Sequence, residues 1–236
     1  MGLGKLLRKI LQAILAPFVL AIDATMRKSD FALKRALHLK AIDESAEVVR
    51  KEMPGALFCE GRFENLDYAL SLRKQGGLIL EFGVFKGATL RKIAQACANE
   101  KIYGFDSFRG LPERWIGSRN TSTSMDVGGN LPSVPGNVEL IAGWFDQTLP
   151  AFLAAHPGEV GFLHIDCDIY SSTRCVFDLV VARLAPGCVI VFDEFFGYHG
   201  FSHHEYRAFH EFIASSGRKF HFASYSGAQA TAVLDS

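Results

Sequence analysis

Three carboxylates stand directly after short apolar runs, Asp166 after one run and Asp193 with Glu194 after the next. Runs of this length, rich in Ile, Val, Leu and Phe, predict buried strands. The carboxyl ends of neighbouring parallel strands meet at one edge of a sheet, so we expect these side chains to lie close together. Crowded carboxylates repel unless a divalent cation or shared protons compensate, and all-oxygen donors select Mg²⁺, Mn²⁺ or Ca²⁺. The sequence therefore predicts either a divalent-cation site or shared protons at Asp166, Asp193 and Glu194.

A second group surrounds a turn earlier in the chain, where Glu81, Gly83 and Gly87 follow an apolar run and Asp106 ends the run after it. Gly83 and Gly87 let a ligand approach the backbone closely. The bulky side chains at 84–86 depart from the small residues that admit a pyrophosphate. Glu81 favours a cation such as a sulfonium, and Asp106 stands where nucleoside-binding α/β folds bind a ribose. S-adenosylmethionine fits this description, although a glycine turn and a helix-capping Asp would also give the pattern.

The elements that must position these residues alternate between strand and helix. From Gly76 onward, short apolar runs alternate with amphipathic stretches of helix length. This alternation predicts an α/β fold with a Rossmann-like, doubly wound sheet. A hairpin signal at 226–228 makes the last of seven strands antiparallel. The predicted strands are 78–82, 102–105, 138–142, 161–165, 188–192, 219–225 and 229–234, and the predicted helices are 88–99, 146–155, 172–183 and 204–216.

Two parts of the chain stand apart from this rhythm. Residues 1–72 predict a helical N-terminal extension with a basic amphipathic start, ahead of a cofactor-binding domain over residues 73–236. Residues 107–137 are rich in Gly, Ser, Thr, Asn and Pro and are too long for an idle connection. We interpret them as an active-site lid rather than as a disordered insertion.

Composition excludes several classes of protein. The 236 residues contain 25 Lys or Arg and 25 Asp or Glu, and this zero net charge disfavours a protein that binds nucleic acid by neutralising phosphates. A chain that is 49% hydrophobic and 21% charged is not disordered. The five cysteines form no C-x-x-C pair, so we expect reduced thiols and a cytoplasmic protein.

The neutral total conceals an asymmetry. Residues 1–40 carry eight Lys or Arg against two Asp, a net of +6, which leaves −6 for the rest of the chain. The apolar run at 10–22 is too short for a membrane span, and Pro17 interrupts it. A signal peptide is disfavoured by the unpaired cysteines. The remaining interpretations are a helix packed on its own domain or on a second subunit, or a helix lying on an anionic membrane surface.

Four motifs resemble those of one family, the class I S-adenosylmethionine-dependent O-methyltransferases, and within it the macrocin and mycinamicin (TylF-like) group. The resemblance begins near Leu78 and runs to the C-terminus. The motifs are, in chain order, EFGVFKG at 81–87, FDSFRGLP at 105–112, GWFDQTLP at 143–150 and IDCDIYSST at 165–173. Two positions depart from the family pattern, since Cys167 stands for a Gly and Glu194 for a second Asp.

The resemblance implies transfer of a methyl group from S-adenosylmethionine to a hydroxyl of a sugar, a glycosylated natural product or a similar small acceptor. It implies Mg²⁺ held by Asp166, Asp193 and Glu194, where the ion lowers the pKa of the attacking hydroxyl. Among candidate general bases, His199 and His203 lie in the loop after Glu194, with His204, His164 and Asp168 as alternatives. The cofactor is expected to touch Glu81, Gly83, Gly87, Asp106, Ser107, Gly143, Trp144 and Asp166.

Other classes remain as alternatives. Asp166-Cys167-Asp168 is also a D-x-D, which would suit a metal-dependent glycosyltransferase, but a diphosphate cradle is lacking. An NAD-dependent oxidoreductase fits less well because the third glycine of its pattern is absent. A cofactor-binding or membrane-docked accessory protein on the same scaffold is the non-enzyme alternative. The expected partners are a small hydroxylated acceptor and a second copy of the chain, not nucleic acid.

Overall fold

The computed structural model describes residues 29–115 and 121–235, together with residues 11, 14–19, 22 and 24. The basic start at residues 1–10 and the middle of the lid at 116–120 lie outside the described residues. Within the described ranges, none of the helices is both long enough and apolar enough to cross a bilayer.

In the part of the chain that the structure describes, eight strands form a single sheet. They are β1 (Leu57–Phe58), β2 (Leu78–Phe82), β3 (Ile102–Asp106), β4 (Val138–Ala142), β5 (Val160–Ile165), β6 (Leu184–Phe192), β7 (Phe220–Tyr225) and β8 (Ala230–Leu234). Their order across the sheet is β4-β3-β2-β5-β6-β8-β7-β1. The first five in this order are parallel, and β8 runs antiparallel between β6 and β7. The predicted doubly wound sheet with an antiparallel last strand is therefore confirmed.

The strand that the sequence did not predict is β1. It has two residues, both exposed, so it carries no alternation of apolar and polar positions. It pairs parallel with β7 at the edge of the sheet, where Leu57 lies beside Ser224 and Phe58 beside Tyr225. The sheet therefore has eight strands rather than seven.

Helices cover both faces of the sheet. They are α1 (Ser29–Glu52), α2 (Arg62–Leu72), α3 (Ala88–Ala96), α4 (Phe145–Ala155), α5 (Tyr170–Val180) and α6 (Glu205–Ser216). On one face, Leu66 of α2 and Leu90 and Ile93 of α3 pack with Phe162 and Val191 of the sheet. On the other face, α4, α5 and α6 enclose an aromatic core in which the rings of Phe177 and Phe212 stack at 4.5 Å.

The N-terminal extension is only partly packed on the domain. Near the end of α1, Tyr206 of α6 donates to Glu52 Oε1 at 2.7 Å, and His210 Nε2 lies 3.1 Å from Glu52 Oε2. Residues 31–40 are almost all exposed. Ahead of them, large apolar side chains are also exposed: Leu11, Ile14, Leu15, Phe18, Val19 and Ile22. The domain boundary at residue 72 stays a prediction. Helix α2, which ends at that boundary, packs in the core on the same face of the sheet as α3.

Candidate active site

The carboxyl ends of the central strands open into a cavity of about 890 Å³. It lies where the chain reverses direction across the sheet, between β2 and β5, which is where open α/β sheets bind ligands. The loops after β2, β3, β5 and β6 line it, together with parts of the lid and the first residue of α2. The predicted motifs are thus brought to one place.

Three carboxylates lie close together in this cavity. Asp166, Asp168 and Glu194 each offer one oxygen within 4.8 Å of the others, so the group is compact enough to hold a metal ion. Asp168 has a left-handed backbone with φ 65°, which is uncommon for a residue with a side chain and fixes the direction in which its carboxylate leaves the loop. The all-oxygen character of the group suits Mg²⁺ or Mn²⁺.

The environment of this group favours protonated carboxyls when no cation is present. Burial, followed by the charge of Asp193, raises the pKa of Asp166 well above its usual range. Burial and the charge of Asp166 do the same for the pKa of Glu194. Burial, with the charges of Asp193 and Asp106, raises the pKa of Asp168 to about 7. A divalent cation relieves this repulsion more completely than shared protons can.

Asp193, which the sequence placed among the metal ligands, lies in the cavity wall beside this group but not within it. Gln229 Nε2 donates a hydrogen bond to its Oδ1. Arg62 Nη1 lies 3.7 Å from its Oδ2, and His164 Nε2 lies 4.0 Å from its Oδ1. Asp193 is thus held by neighbouring side chains, whereas Asp168 takes the third place in the compact group.

The glycine turn after β2 is required by packing as well as by ligand access. Gly83 has φ 91°, and a Cβ there would lie 1.6 Å from the carbonyl oxygen of Asp166. The amide of Asp166 donates to the carbonyl of Phe82 at 2.8 Å. The loops after β2 and β5 therefore touch directly, which sets the position of Asp166 relative to the cofactor turn.

Asp106 lines the cavity at the end of β3, as predicted, and it also organises the turn after β2. Its Oδ2 accepts the amides of Val84 at 2.8 Å and Phe85 at 2.7 Å, and its Oδ1 accepts the amide of Phe108 at 2.7 Å. Phe85 and Phe108 both have positive φ angles. One lone pair of Oδ1 stays free to accept from a ligand hydroxyl.

Glu81 lies beneath the cavity rather than in its lining. Its side chain is fully buried, Thr89 donates to its Oε1 at 2.9 Å, and His164 Nδ1 lies 3.6 Å from its Oε2. Burial raises the pKa of Glu81 to about 8 and lowers the pKa of His164 to about 4. Burial thus favours the neutral form of both groups, and the contact of Glu81 with the cofactor stays a prediction.

The other predicted cofactor contacts divide into two sets. Ser107 and Trp144 line the cavity, together with Gly83 and Asp166. Gly87 and Gly143 are not among its lining residues. Gly87 caps α3 with φ 72°, and a Cβ on Gly143 would lie 2.7 Å from Thr148 Cγ2. Both positions therefore require glycine for local backbone conformation or packing.

The histidines predicted as general bases do not reach the cavity. His199 and His203 are exposed, and the described lining residues contain no histidine. The loop turns them outward because the 3₁₀ turn Phe201–His203 buries Phe201 instead. The lining groups that can accept a proton are carboxylates.

Three residues that sequence reasoning missed contribute to the site. Arg62 enters the cavity from the extension, Gln229 holds Asp193, and the buried Glu205 accepts the backbone amide of Glu194 at 3.1 Å. Each residue lies far from the motifs in sequence and follows no recognisable pattern. Arg62 and Glu205 each begin a helix, so the packing of two helices on the sheet brings them to this edge.

The described parts of the lid form one side of the cavity. Gly110, Leu111, Pro112, Trp115 and Met125 line it. Ser171 of α5 donates to Glu113 Oε1 at 2.6 Å, which ties the lid to the helix that follows the Asp166 loop. These residues therefore border the cavity, and the role of the segment as a lid stays a prediction.

Known proteins share both the sequence pattern and the fold. A curated relative, the 8-demethyl-8-(2,3-dimethoxy-alpha-L-rhamnosyl)-tetracenomycin-C 4'-O-methyltransferase of Streptomyces olivaceus, is 26% identical over 159 residues, covering 57% of this chain and 60% of the relative. The matched region thus spans less than two thirds of that protein. The structure of the O-methyltransferase NovP is similar with a TM-score of 0.58 and 19% identity, over 74% of this chain and 80% of NovP.

CalS11, a calicheamicin methyltransferase, is similar with a TM-score of 0.60 and 20% identity, over 86% of this chain and 92% of its own. At these identities the two structures establish the fold. These matches do not favour the glycosyltransferase alternative. A family model described as a methyltransferase domain matches residues 80–195. Residues 80–195 therefore match a methyltransferase domain, and the chain shares the fold of these two methyltransferase structures.

Proposed function

We propose that this protein is an S-adenosylmethionine-dependent, Mg²⁺-dependent O-methyltransferase that acts on a hydroxyl of a sugar or a glycosylated natural product. The observation that carries the proposal is the cavity itself, where a glycine turn and a ribose-side carboxylate face a compact group of three carboxylates. A methyl donor and a metal-bound acceptor fit side by side in such a site.

The residues present fit the cofactor. Asp106 keeps a free lone pair for a ribose hydroxyl, and the turn at Gly83 offers close backbone approach. Trp144, Phe145 and Met125 supply apolar surface in the same wall. When bound, the cofactor supplies a methyl group on a sulfonium, which the acidic cavity attracts.

The residues present also fit a divalent cation. Asp166, Asp168 and Glu194 would hold it, and Glu194 Oε2 is buried without a hydrogen-bond partner among the described residues. When bound, the ion supplies a positive charge that lowers the pKa of an acceptor hydroxyl. The sequence prediction that Asp193 is a ligand stays a proposal, which an Asp193→Asn variant with weaker Mn²⁺ binding would support.

The chain's own side chains align the acceptor and remove its proton. Proximity and orientation contribute most when the reacting atoms are held in line, and the lid with Trp115 and Leu111 excludes water from them. His199 and His203 face solvent, and the described lining groups that can accept the proton are carboxylates.

Names of similar proteins support a glycosidic acceptor. The curated relative is named for methylation of a rhamnosyl group, and CalS11 is described as a TDP-rhamnose 3'-O-methyltransferase. A sugar offers neighbouring hydroxyl oxygens that can chelate a cation together. The acceptor proposed here is therefore a deoxysugar or a similar polyol unit.

Calorimetry tests the proposal directly. We expect S-adenosylhomocysteine to bind, and UDP-sugar and NAD not to bind. Turnover with S-adenosylmethionine and hydroxylated acceptors should then require Mg²⁺ and stop in EDTA. Binding without turnover on any glycoside would instead indicate an accessory protein on the same scaffold, and binding of UDP-sugar alone would indicate a glycosyltransferase.

We further propose that residues 1–40 contact a second surface and that the protein is cytoplasmic. Exposed apolar side chains and a local charge of +6 fit an anionic membrane, and the charge of −6 on the rest of the chain fits a second subunit. Co-sedimentation with anionic liposomes, and mass in solution, separate these partners. All five cysteines are free thiols, which suits a reducing compartment.

A further inference from the structure

Arg62 is a cation in a cavity whose charged lining residues are mainly acids. It is the first residue of α2, its side chain is 45% exposed, and it faces Asp193 across 3.7 Å. The lining residues include the carboxylates Asp106, Asp146, Asp166, Asp168, Asp193 and Glu194. Among the described lining residues, only Arg62 and Lys86 are cations.

The guanidinium of Arg62 has N–H donors that are available to a ligand. Its contact with Asp193 is too long for a hydrogen bond, and within the described chain it makes no hydrogen bond with another side chain or with the backbone. Its position over the ring of Phe63, 5.3 Å from the centroid, steadies the planar group without using its N–H donors. A planar fork with free donors matches a carboxylate ligand.

The proposed cofactor brings one group that this cavity otherwise repels. Its amino acid part carries an α-carboxylate, a short chain away from the sulfonium. Arg62 lies 3.7 Å from Asp193, which follows β6, so an amino acid part that extends from a sulfonium beside the carboxylates of β5 and β6 comes within reach of α2. There an anion meets Asp166 and Asp193, so it needs a cation beside it.

We propose that Arg62 binds the α-carboxylate of the methionine moiety of S-adenosylmethionine, and this inference rests on the proposed function. Lys86 is the less suitable cation, because it lies in the exposed outer part of the turn, with its Nζ 5.1 Å from the Phe85 ring. The N-terminal extension thereby supplies a cofactor contact that the family motifs do not include.

A buried network fixes α2 so that Arg62 stays in the cavity. Asn65 lies one helical turn after Arg62 and is fully buried. Ser224 donates to its Oδ1 at 2.7 Å, and its Nδ2 donates to Gln229 Oε1 at 3.3 Å. Gln229 also donates to Asp193. One chain of hydrogen bonds therefore fixes the positions of both Asp193 and the helix that carries Arg62.

The test compares two ligands that differ only in this carboxylate, S-adenosylhomocysteine and its decarboxylated analogue, by calorimetry on the full chain. We expect Arg62→Gln to weaken S-adenosylhomocysteine binding by about tenfold to a hundredfold, the worth of a charge-assisted hydrogen bond or two. Binding of the decarboxylated analogue should change by less than about twofold. Arg62→Lys should recover part of the loss, because charge remains and the fork does not.

Lys92→Gln is the matched control, because Lys92 contacts α2 through Asp67 at 2.6 Å without lining the cavity. It should leave both affinities unchanged. An equal loss for both ligands in Arg62→Gln, or no loss for either, overturns the assignment of the carboxylate. If the wild-type protein binds neither ligand, the proposed function itself fails.

Discussion

Asp166 takes part both in the backbone packing of the loops and in the proposed metal chemistry. Its carbonyl oxygen fills the space where Gly83 has no side chain, and its carboxylate belongs to the acidic group. Any change that moves the turn after β2 therefore moves the proposed metal site as well.

Gly83→Ala tests this coupling. The new Cβ would lie 1.6 Å from a backbone oxygen, at φ 91°, so we expect a loss of about 3 kcal/mol in unfolding free energy, from overpacking and backbone strain. Urea denaturation measures it. Gly55→Ala is the control, because a Cβ at Gly55 would meet no other atom within 4 Å. Equal stability in the two variants would contradict the packing seen at the turn.

Asp166→Asn separates function from stability. Burial already disfavours the ionised carboxylate, so the amide should fold with a melting temperature no lower than that of the wild type. The melting temperature should no longer rise on addition of Mg²⁺, and kcat should fall at least about a hundredfold. Full activity of this variant in EDTA would refute the metal site.

The positions of several site carboxylates could be predicted from where they follow apolar runs in the sequence. The ends of strands placed Asp106, Asp166 and Glu194 in one cavity because the strands are parallel and neighbouring. The directions of side chains in loops were not readable, since they depend on local dihedral angles such as φ 65° at Asp168. For this reason the spacing did not show that Glu81, His199 and His203 lie outside the described cavity lining, and their roles stay predictions.

At the scale of elements, α2 is held by polar contacts that run from the extension to the last hairpin. Asn65 joins Gln229, Ser224 and Thr231, all buried. Such a network stabilises one arrangement strongly and tolerates substitution poorly, because each buried partner left unpaired costs free energy.

Asn65→Leu should therefore destabilise the fold by about 2–4 kcal/mol, since several buried polar groups lose their partner. It should also weaken S-adenosylhomocysteine binding, because Arg62 lies on the same helix. Denaturation and calorimetry measure the two effects. Ser71→Ala, at an exposed position of α2, is the control, and a similar loss there would show that the helix is sensitive everywhere.

The contact between α1 and α6 predicts a dependence on pH. Burial acts to raise the pKa of Glu52, but the hydrogen bonds from His210 and Tyr206 outweigh it and hold the pKa below its ordinary 4.5. A depressed pKa stabilises the fold above that value, and this stability is lost as the pH falls through the folded-state pKa.

Glu52→Gln should thus lower stability at neutral pH and leave a smaller loss on acidification below 4.5 than the wild type shows. Unfolding free energies at several pH values measure the difference. Glu47→Gln is a matched control on the same helix, because Glu47 forms only exposed pairs with Arg50 and Lys51. An unchanged pH profile for Glu52→Gln would mean that α1 is held by other contacts.

Elements with a clear hydrophobic period were predicted well. All seven expected strands form, because each is an apolar run closed by Gly, Pro or Asp. Strand β1 was missed because two exposed residues have no period, and the ends of two helices were extended too far, since α3 stops at Ala96 and α5 at Val180.

For the whole molecule, the N-terminal part of the chain combines a positive net charge with exposed apolar side chains, whereas the rest of the chain has a negative net charge. Ile14 is 58% exposed and Phe18 is 65% exposed, in the part with a net charge of +6. Ile14→Glu with Phe18→Glu should leave the melting temperature unchanged, because neither side chain is buried. The double variant should lose retention on anionic vesicles or the larger mass of an oligomer.

Sedimentation with anionic and neutral vesicles, and light scattering, measure these outcomes. Phe63→Glu, another exposed aromatic that lies outside residues 1–40, serves as the control. Vesicle binding and mass that are identical in the double variant and the wild type would show that this apolar surface has no partner.

The two residues of β1 have a consequence for solubility. Without them β7 would be the outermost strand, with the carbonyl of Tyr225 free instead of accepting the amide of Cys59 at 2.8 Å. Open strand edges recruit edges of other molecules, and native proteins commonly cover them. The linker between α1 and α2 thus shields the sheet from intermolecular pairing, and a protease cut that releases it would convert a covered edge into a nucleus for aggregation.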